Sequence, residues 1–377
     1  MKSKKILFDD YRNKRIEKFK GLDNPVSKET LYSLVGDYAF DNFGVSYLDL
    51  SEYDFSLLSL EDMTNICFSS STLWPSKDKL PKGFNPNKIL KDCCHTGEKI
   101  KKLHEEGING EGIVVGVIDC SFQGEGHEEF ENAILERATL DNAVLDECCH
   151  FHMENVLAKI VGKSLGVAPK CKVLYYEINT EDDNSEEVLK CLKDIARRIE
   201  EGENIRVINI SASIEQDEEN AYKYQKECLE LVKSLSKKGC EVVDSTRFGE
   251  DFFCCGSTFL SENVDEYKEA SFSKNYSDEL KEKLKNNVNF VCSGRNVLEF
   301  CNNNGYKYEV VDCFSWSIPQ AVGLYALCLQ KNSNIDWNFF ASICKETAYV
   351  NNQGICVINP LKVVEKVKEI KIVFNKK

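Results

Sequence analysis

The chain has 377 residues, of which 42% are hydrophobic and 29% charged, and a formal charge of −14 at pH 7. That length holds one large domain and something smaller. The acidic balance argues against nucleic acid as a partner, which needs a clustered basic surface to displace counterions, and no apolar run approaches the ~18 residues of a membrane span.

The start, MKSKKILFDDYRNKRIEKFKG, lacks the apolar core of a signal peptide. The eighteen cysteines are therefore expected to be reduced thiols of a cytoplasmic protein, with no disulfide scaffold. Residues 1–74 carry aromatics throughout (Phe8, Tyr11, Phe19, Tyr32, Phe40, Tyr47, Phe55), so this segment packs against something. Pro75, Pro81 and Pro86 in WPSKDKLPKGFNP mark a linker, which sets an N-terminal extension and linker at 1–87 and a main domain at 88–377.

Residues 88–106 read as a helix, and Gly107, Gly110 and Gly112 bracket a turn into IVVGVID, a wholly apolar strand suited to the inside of a parallel sheet. Similar runs follow at 172–178, 206–211 and 240–244, separated by helix-length segments at 185–201 and 218–238. This alternation predicts an α/β fold, a doubly wound, mostly parallel sheet, whose site lies at the carboxyl ends of the strands. The acidic runs Glu181-Asp182-Asp183 and Asp217-Glu218-Glu219 read as solvated surface.

Three places stand out where chemistry is expected. Asp119 ends the first strand of the main domain; His152 opens a helix and shares a face with Val156 and Ile160; Ser315 and Ser317 precede Pro319 at the start of the apolar segment 314–330. Free N–H groups and the positive dipole end of that last helix would stabilise an oxyanion. Acyl transfer needs an alcohol nucleophile, an imidazole to carry its proton and a carboxylate to fix the imidazole's tautomer. The chain order Asp, His, Ser is that of subtilisin.

From about 106 to 365 the chain resembles the subtilisin-like serine proteases, most of all a divergent bacterial branch. GIVVGVID matches the family strand V-x-V-I-D at Asp119. HMENVLAKIVGKSLGVAP keeps the leading His152, Val156, Gly162 and the G-V-A-P of the histidine block, and the four-residue spacing to Val156 selects His152 over His150. CFSWSIPQAVG matches the serine block with Ser315 four residues before Pro319, followed by Val322 and Gly323, and INPLKVV is similar to the family's closing V-N-A-x-x-A-V. RVINISAS is similar to V-I-N-M-S-L-G, so Ser211, Ala212 and Ser213 are the expected peptide-binding strand. The resemblance implies a subtilisin-like endopeptidase acting on a peptide or protein through Asp119, His152 and Ser315, without an organic cofactor. Structural calcium occurs in the family, but no ligand run here supports it. The N-terminal segment would be a propeptide or a permanent docking module, and the latter is expected because no processing site is evident.

The chain departs from the family pattern in three places. Cys313 and Phe314 replace glycine and threonine before the nucleophile; Met153 and Glu154 follow His152; and no asparagine occurs in VVDSTRFGE (242–250), where the oxyanion asparagine belongs. Loss of that donor costs about 10²–10³ in kcat, and Ser245, Thr246 or Arg247 are candidate substitutes. The departures also allow a pseudoprotease that binds peptides with little turnover. A zinc site at Cys148, Cys149, His150 and His152 is disfavoured, since adjacent cysteines suit tetrahedral capture poorly and no CxxC pair occurs elsewhere, so no metal is expected. The short Gly124-Glu125-Gly126 is no phosphate loop.

Overall fold

The computed structural model describes residues 23–35, 44–138, 152–179, 185–214, 222–256, 270–272, 276–293, 295–299, 304–310 and 312–370. The elements begin with helices α1 (Lys28–Val35) and α2 (Leu60–Thr64), strand β1 (Phe68–Ser69), and helices α3 (Pro86–Asp92) and α4 (Glu98–Glu105). Next come β2 (Val114–Asp119), β3 (Ile134–Arg137), α5 (His152–Val161), β4 (Lys172–Glu177), α6 (Ser185–Glu200), β5 (Ile205–Asn209), α7 (Tyr222–Lys237) and β6 (Glu241–Val243). The remainder is α8 (Ser245–Asp251), β7 (Phe252–Gly256), α9 (Asp278–Leu284), β8 (Val288–Ser293), β9 (Arg295–Leu298), β10 (Tyr306–Glu309), α10 (Phe314–Lys331), α11 (Trp337–Thr347), β11 (Tyr349–Val350), β12 (Cys356–Val357) and α12 (Pro360–Glu369).

Five parallel strands lie in the order β3-β4-β2-β5-β6, with β2 at the centre. Because side chains alternate along a strand, the apolar runs feed two cores. Val115, Val117, Val173, Tyr175 and Val207 pack on α5 and α10, whereas Ile118, Leu174, Tyr176 and Ile208 pack under α6 and α7. This is the α/β architecture expected from the sequence. A second sheet, β11-β12-β8-β7, extends the apolar interior through Phe252, Phe290 and Trp337. Among the described residues, no helix is long and apolar enough to cross a membrane.

The third sheet was not foreseen. β9 and β10 form an antiparallel pair, and β1 of the N-terminal segment adds to β10 with Phe68 opposite Tyr308. Around it Val26, Leu31, Leu50, Phe55, Phe68, Phe84, Ile89 and Tyr308 close a satellite core. The proline stretch is part of this packing, with Phe84 buried between Phe68 and Trp74. The boundary drawn at 87/88 falls inside α3, which contributes Ile89 and Leu90 to that core. The helix expected over 88–106 is two helices. α3 stops at Cys93, and the chain turns through Gly97 at φ +104°, a conformation that favours glycine, before α4 begins.

Phe68 is fully buried, with rings of Trp74, Phe84 and Tyr308 within 5.1–5.7 Å. Phe68→Ala is expected to lower stability by about 3–5 kcal/mol in urea unfolding. A single transition is expected, because the satellite core is closed by a strand from the main domain; separate transitions for the two cores would contradict this.

Candidate active site

Asp119 leaves the central strand at its carboxyl end, 6% exposed, with its Oδ1 accepting the Cys120 N–H at 2.8 Å. His152 opens α5, as expected, and its Nδ1 lies 2.8 and 2.9 Å from the two Asp119 oxygens. An ionised carboxylate only accepts, so Nδ1 carries the proton and Nε2 is left as the basic nitrogen. The imidazole is 27% exposed, open enough to meet a substrate. Burial lowers its proton affinity, but the charge and hydrogen bond of Asp119, helped by Glu154, outweigh that and raise its pKa above the ordinary value.

The serine helix α10 packs against α5 and the Gly166–Pro169 turn. A Cβ on Gly323 would fall 2.8 Å from Val167 Cβ, so glycine lets the two segments approach. Cys313 is the N-cap and makes no side-chain cap bond, which leaves Ser315 in the first turn, half-buried, and Ser317 fully buried without a hydrogen-bond partner among the described residues. Of the serine pair only Ser315 is partly exposed. Pro319 has no N–H to give the Ser315 carbonyl, which instead accepts from Ser211 Oγ at 3.4 Å. In return Ser315 Oγ donates to the Ser211 carbonyl at 3.4 Å. Burial pushes the pKa of the neighbouring Cys313 thiol up, so it stays protonated and is no rival nucleophile.

The structure thus brings Asp119 and His152 into direct contact and sets Ser315 at the expected peptide strand. Ser315 makes no hydrogen bond to His152 among the described residues. The adjoining Trp316 closes the distance, with its ring 5.2 Å from the imidazole and tilted 35° to it. Ser211-Ala212-Ser213 follows β5; the Ala212 carbonyl accepts the Ser245 N–H at 2.9 Å and Ser213 Oγ meets Thr246 Oγ1 at 3.0 Å. The oxyanion candidates therefore sit at the start of α8, beside that strand, with Asp244 as N-cap accepting the Arg247 N–H at 2.8 Å. Arg247 is the exception. Its guanidinium is committed to Glu241, Glu250 and Asn338, so it is removed from the candidates.

The zinc reading falls on Cys148, Cys149 and His150, which lie outside the described residues, as do the acidic runs at 181–183 and 217–219. Among the described residues, no group of three or more His, Cys, Asp or Glu is placed to hold a metal, and all the described cysteines are free. Two neighbours of the imidazole went unassigned in the sequence. Trp316 carried no signal beyond its place next to Ser315. Glu154 did, as a lone carboxylate inside the apolar run of α5, two residues from the histidine.

Glu154 is fully buried; its Oε1 accepts the Gln123 N–H and its Oε2 has no partner among the described residues. Burial, with Asp119's charge, pushes its pKa up to about 7 against the opposing pull of backbone N–H groups and His152. A folded-state pKa above the unfolded value means that the fold favours the protonated acid. Its stabilisation is complete below about pH 4.5 and is lost as pH rises through 7. Glu154→Gln keeps an acceptor for Gln123 without a charge. It is expected to unfold at higher urea concentration than the wild type above pH 7, by up to about 3 kcal/mol, with the gap closing toward pH 5.

No family model and no curated protein sequence matches the chain. Among solved structures it is similar to the prenylagaramide maturation protease PagA, at 18% identity over 71% of this chain and 98% of that one, with a TM-score of 0.50. It is similar also to the PatG macrocyclase domain, at 13% identity over 72% and 95% of the two chains, TM-score 0.50. The PatG macrocyclase in complex with peptide gives 12% identity over 72% and 96%, again at 0.50. At such identities the likeness speaks for the fold alone: the chain has the α/β fold of these proteins.

Proposed function

We propose that the protein is a serine endopeptidase of the cytoplasm that hydrolyses peptide bonds through an acyl-enzyme. The observation that carries this reading is the hydrogen bond from His152 Nδ1 to Asp119, made at the end of the central strand, with Trp316, the residue after Ser315, against the imidazole. Ser315 Oγ attacks the scissile carbonyl while His152 Nε2 takes its proton and then returns it to the leaving amine; Asp119 holds the tautomer and stabilises the imidazolium. The backbone N–H of Ser315, at a helix N-terminus, and a donor from Ser245 or Thr246 receive the oxyanion. Substrate lies extended along Ser211-Ala212-Ser213, bonded through its main chain. Pairing of β1 with β10 supports the N-terminal segment as a permanent part of the molecule, and mass spectrometry of protein from its own host is expected to find it attached.

One observation favours a second reading, a peptide-binding protein with little turnover: Ser315 Oγ is directed at the Ser211 carbonyl and not at the imidazole. Catalytic hydrogen bonds often tighten only once substrate is bound, so the two readings part on reactivity. A fluorophosphonate is expected to label the wild type and Ser317→Ala but not Ser315→Ala. Absence of labelling between pH 6 and 9 would select the binding protein. Against a peptide found by library profiling, Asp119→Asn is expected to lower kcat about 10⁴-fold, and loss of the side-chain oxyanion donor, by alanine at Ser245 or Thr246, about 10²–10³-fold.

A further inference from the structure

Two carboxylates act on His152. Asp119 binds its Nδ1. Glu154, in the first turn of the same helix, is fully buried. One of its oxygens receives the Gln123 N–H, in the loop that continues from Asp119. That loop rests on it closely: a Cβ on Gly124 would lie 2.9 Å from Glu154 Cγ. The other oxygen is unpartnered among the described residues.

We propose that Glu154 is a positioning residue for His152, anchoring the loop after Asp119 to the start of the histidine helix and holding the imidazole's proton through its negative charge. This rests on the proposed peptidase reading of the site.

Among the described residues, the charged and titratable groups around it leave few alternatives. At the end of β2 they are Asp119 and Cys120, the latter a thiol whose pKa burial raises, and on α5 itself His152. Lys159, further along α5, donates to the Asn296 carbonyl at 2.6 Å. Glu129, from the segment before β3, accepts the Ser164 and Leu165 N–H groups at 2.9 and 3.1 Å and the Tyr306 hydroxyl at 2.7 Å. The first turns of α10 bring serines and aromatics and no charge. His152 is thus the cation that Glu154's charge acts upon, and it raises the imidazole's pKa in the same direction as Asp119.

The consequence is a base that gives up its proton at higher pH than Asp119 alone would require. As pH rises, ionisation of Glu154 near 7 strengthens the hold on the imidazolium. Neutralising Glu154 therefore moves His152's titration toward lower pH.

With five histidines in the chain, imidazole resonances are few enough to follow by NMR on the intact protein, with His152 assigned by its loss in His152→Gln. In Glu154→Gln, and in Glu154→Leu as a second neutral variant, the His152 midpoint is expected to fall by roughly half a unit to one unit. The acidic limb of the fluorophosphonate labelling rate is expected to move with it, giving roughly three- to tenfold faster labelling below the wild-type midpoint. A residue that only fills space would leave both midpoints where they are, and an unmoved His152 titration in either folded variant overturns the proposal. Labelling with no shift sinks Glu154's role and spares the peptidase. A shift without labelling of any variant keeps the coupling of Glu154 to His152 and sinks the peptidase.

Discussion

The helix that begins at His152 is buried along its whole length after that first residue, and the rest of the site depends on this. Met153 through Val161 are all buried, so the polar members of the run must find partners inside the protein. Asn155 Oδ1 accepts the Leu298 N–H at 2.6 Å, Lys159 reaches the Asn296 carbonyl, and Glu154 takes the Gln123 N–H. At its far end, the Lys159 and Ile160 carbonyls accept from Val167 and Ala168 at 3.1 and 2.7 Å, which fixes the Gly-Val-Ala-Pro turn against the serine helix. Displacing α5 would break these bonds together. His152 is consequently held opposite Asp119 by the whole interior, the kind of support that proton transfer over hydrogen-bond distances demands.

The same bonds connect the described part of the N-terminal segment to the histidine helix. Asn296 offers its carbonyl to Lys159 on one side, while its own side-chain amide donates to the Leu90 carbonyl at 2.5 Å on the other. β9 lies between, paired to β10, which carries β1 on its other edge. The described part of the N-terminal segment is thus joined to the histidine helix by one intervening strand.

The parallel core and the meeting of Asp119 with His152 were legible because their signals are local: unbroken apolar strands, a carboxylate at a strand's end, a histidine opening a helix, and short spacings such as His152 to Val156. What escaped was of longer range. Pairing of residues 68–69 with 307–308 spans most of the chain and leaves no periodic trace, and the break at 93–97 hid because Cys93 and Cys94 do not interrupt an apolar pattern. The replacement of glycine and threonine by Cys313 and Phe314 looked like damage to the nucleophile's turn. In the fold Phe314 packs edge-on to Phe248 at 5.2 Å and Phe253 at 4.8 Å, so the bulk that the family pattern lacks is absorbed by α8 and β7. Where glycine would leave room, this chain anchors the first turn of α10 with an aromatic cluster.

A buried carboxylate without a full set of partners is a cost that stability alone would remove, since glutamine at position 154 would keep the bond to Gln123 and forgo the charge. Its position makes the cost intelligible. The first turn of a helix is where free N–H groups and the dipole tolerate an anion best, and Glu154's own N–H is among those that draw its pKa down. Burial and Asp119 act against that, leaving the acid poised near neutrality beside an imidazole whose affinity for a proton it increases. Local rules broken at one position, with a physical effect on the group two residues away, are what a functional site looks like when the surrounding fold supplies the stability to hold it.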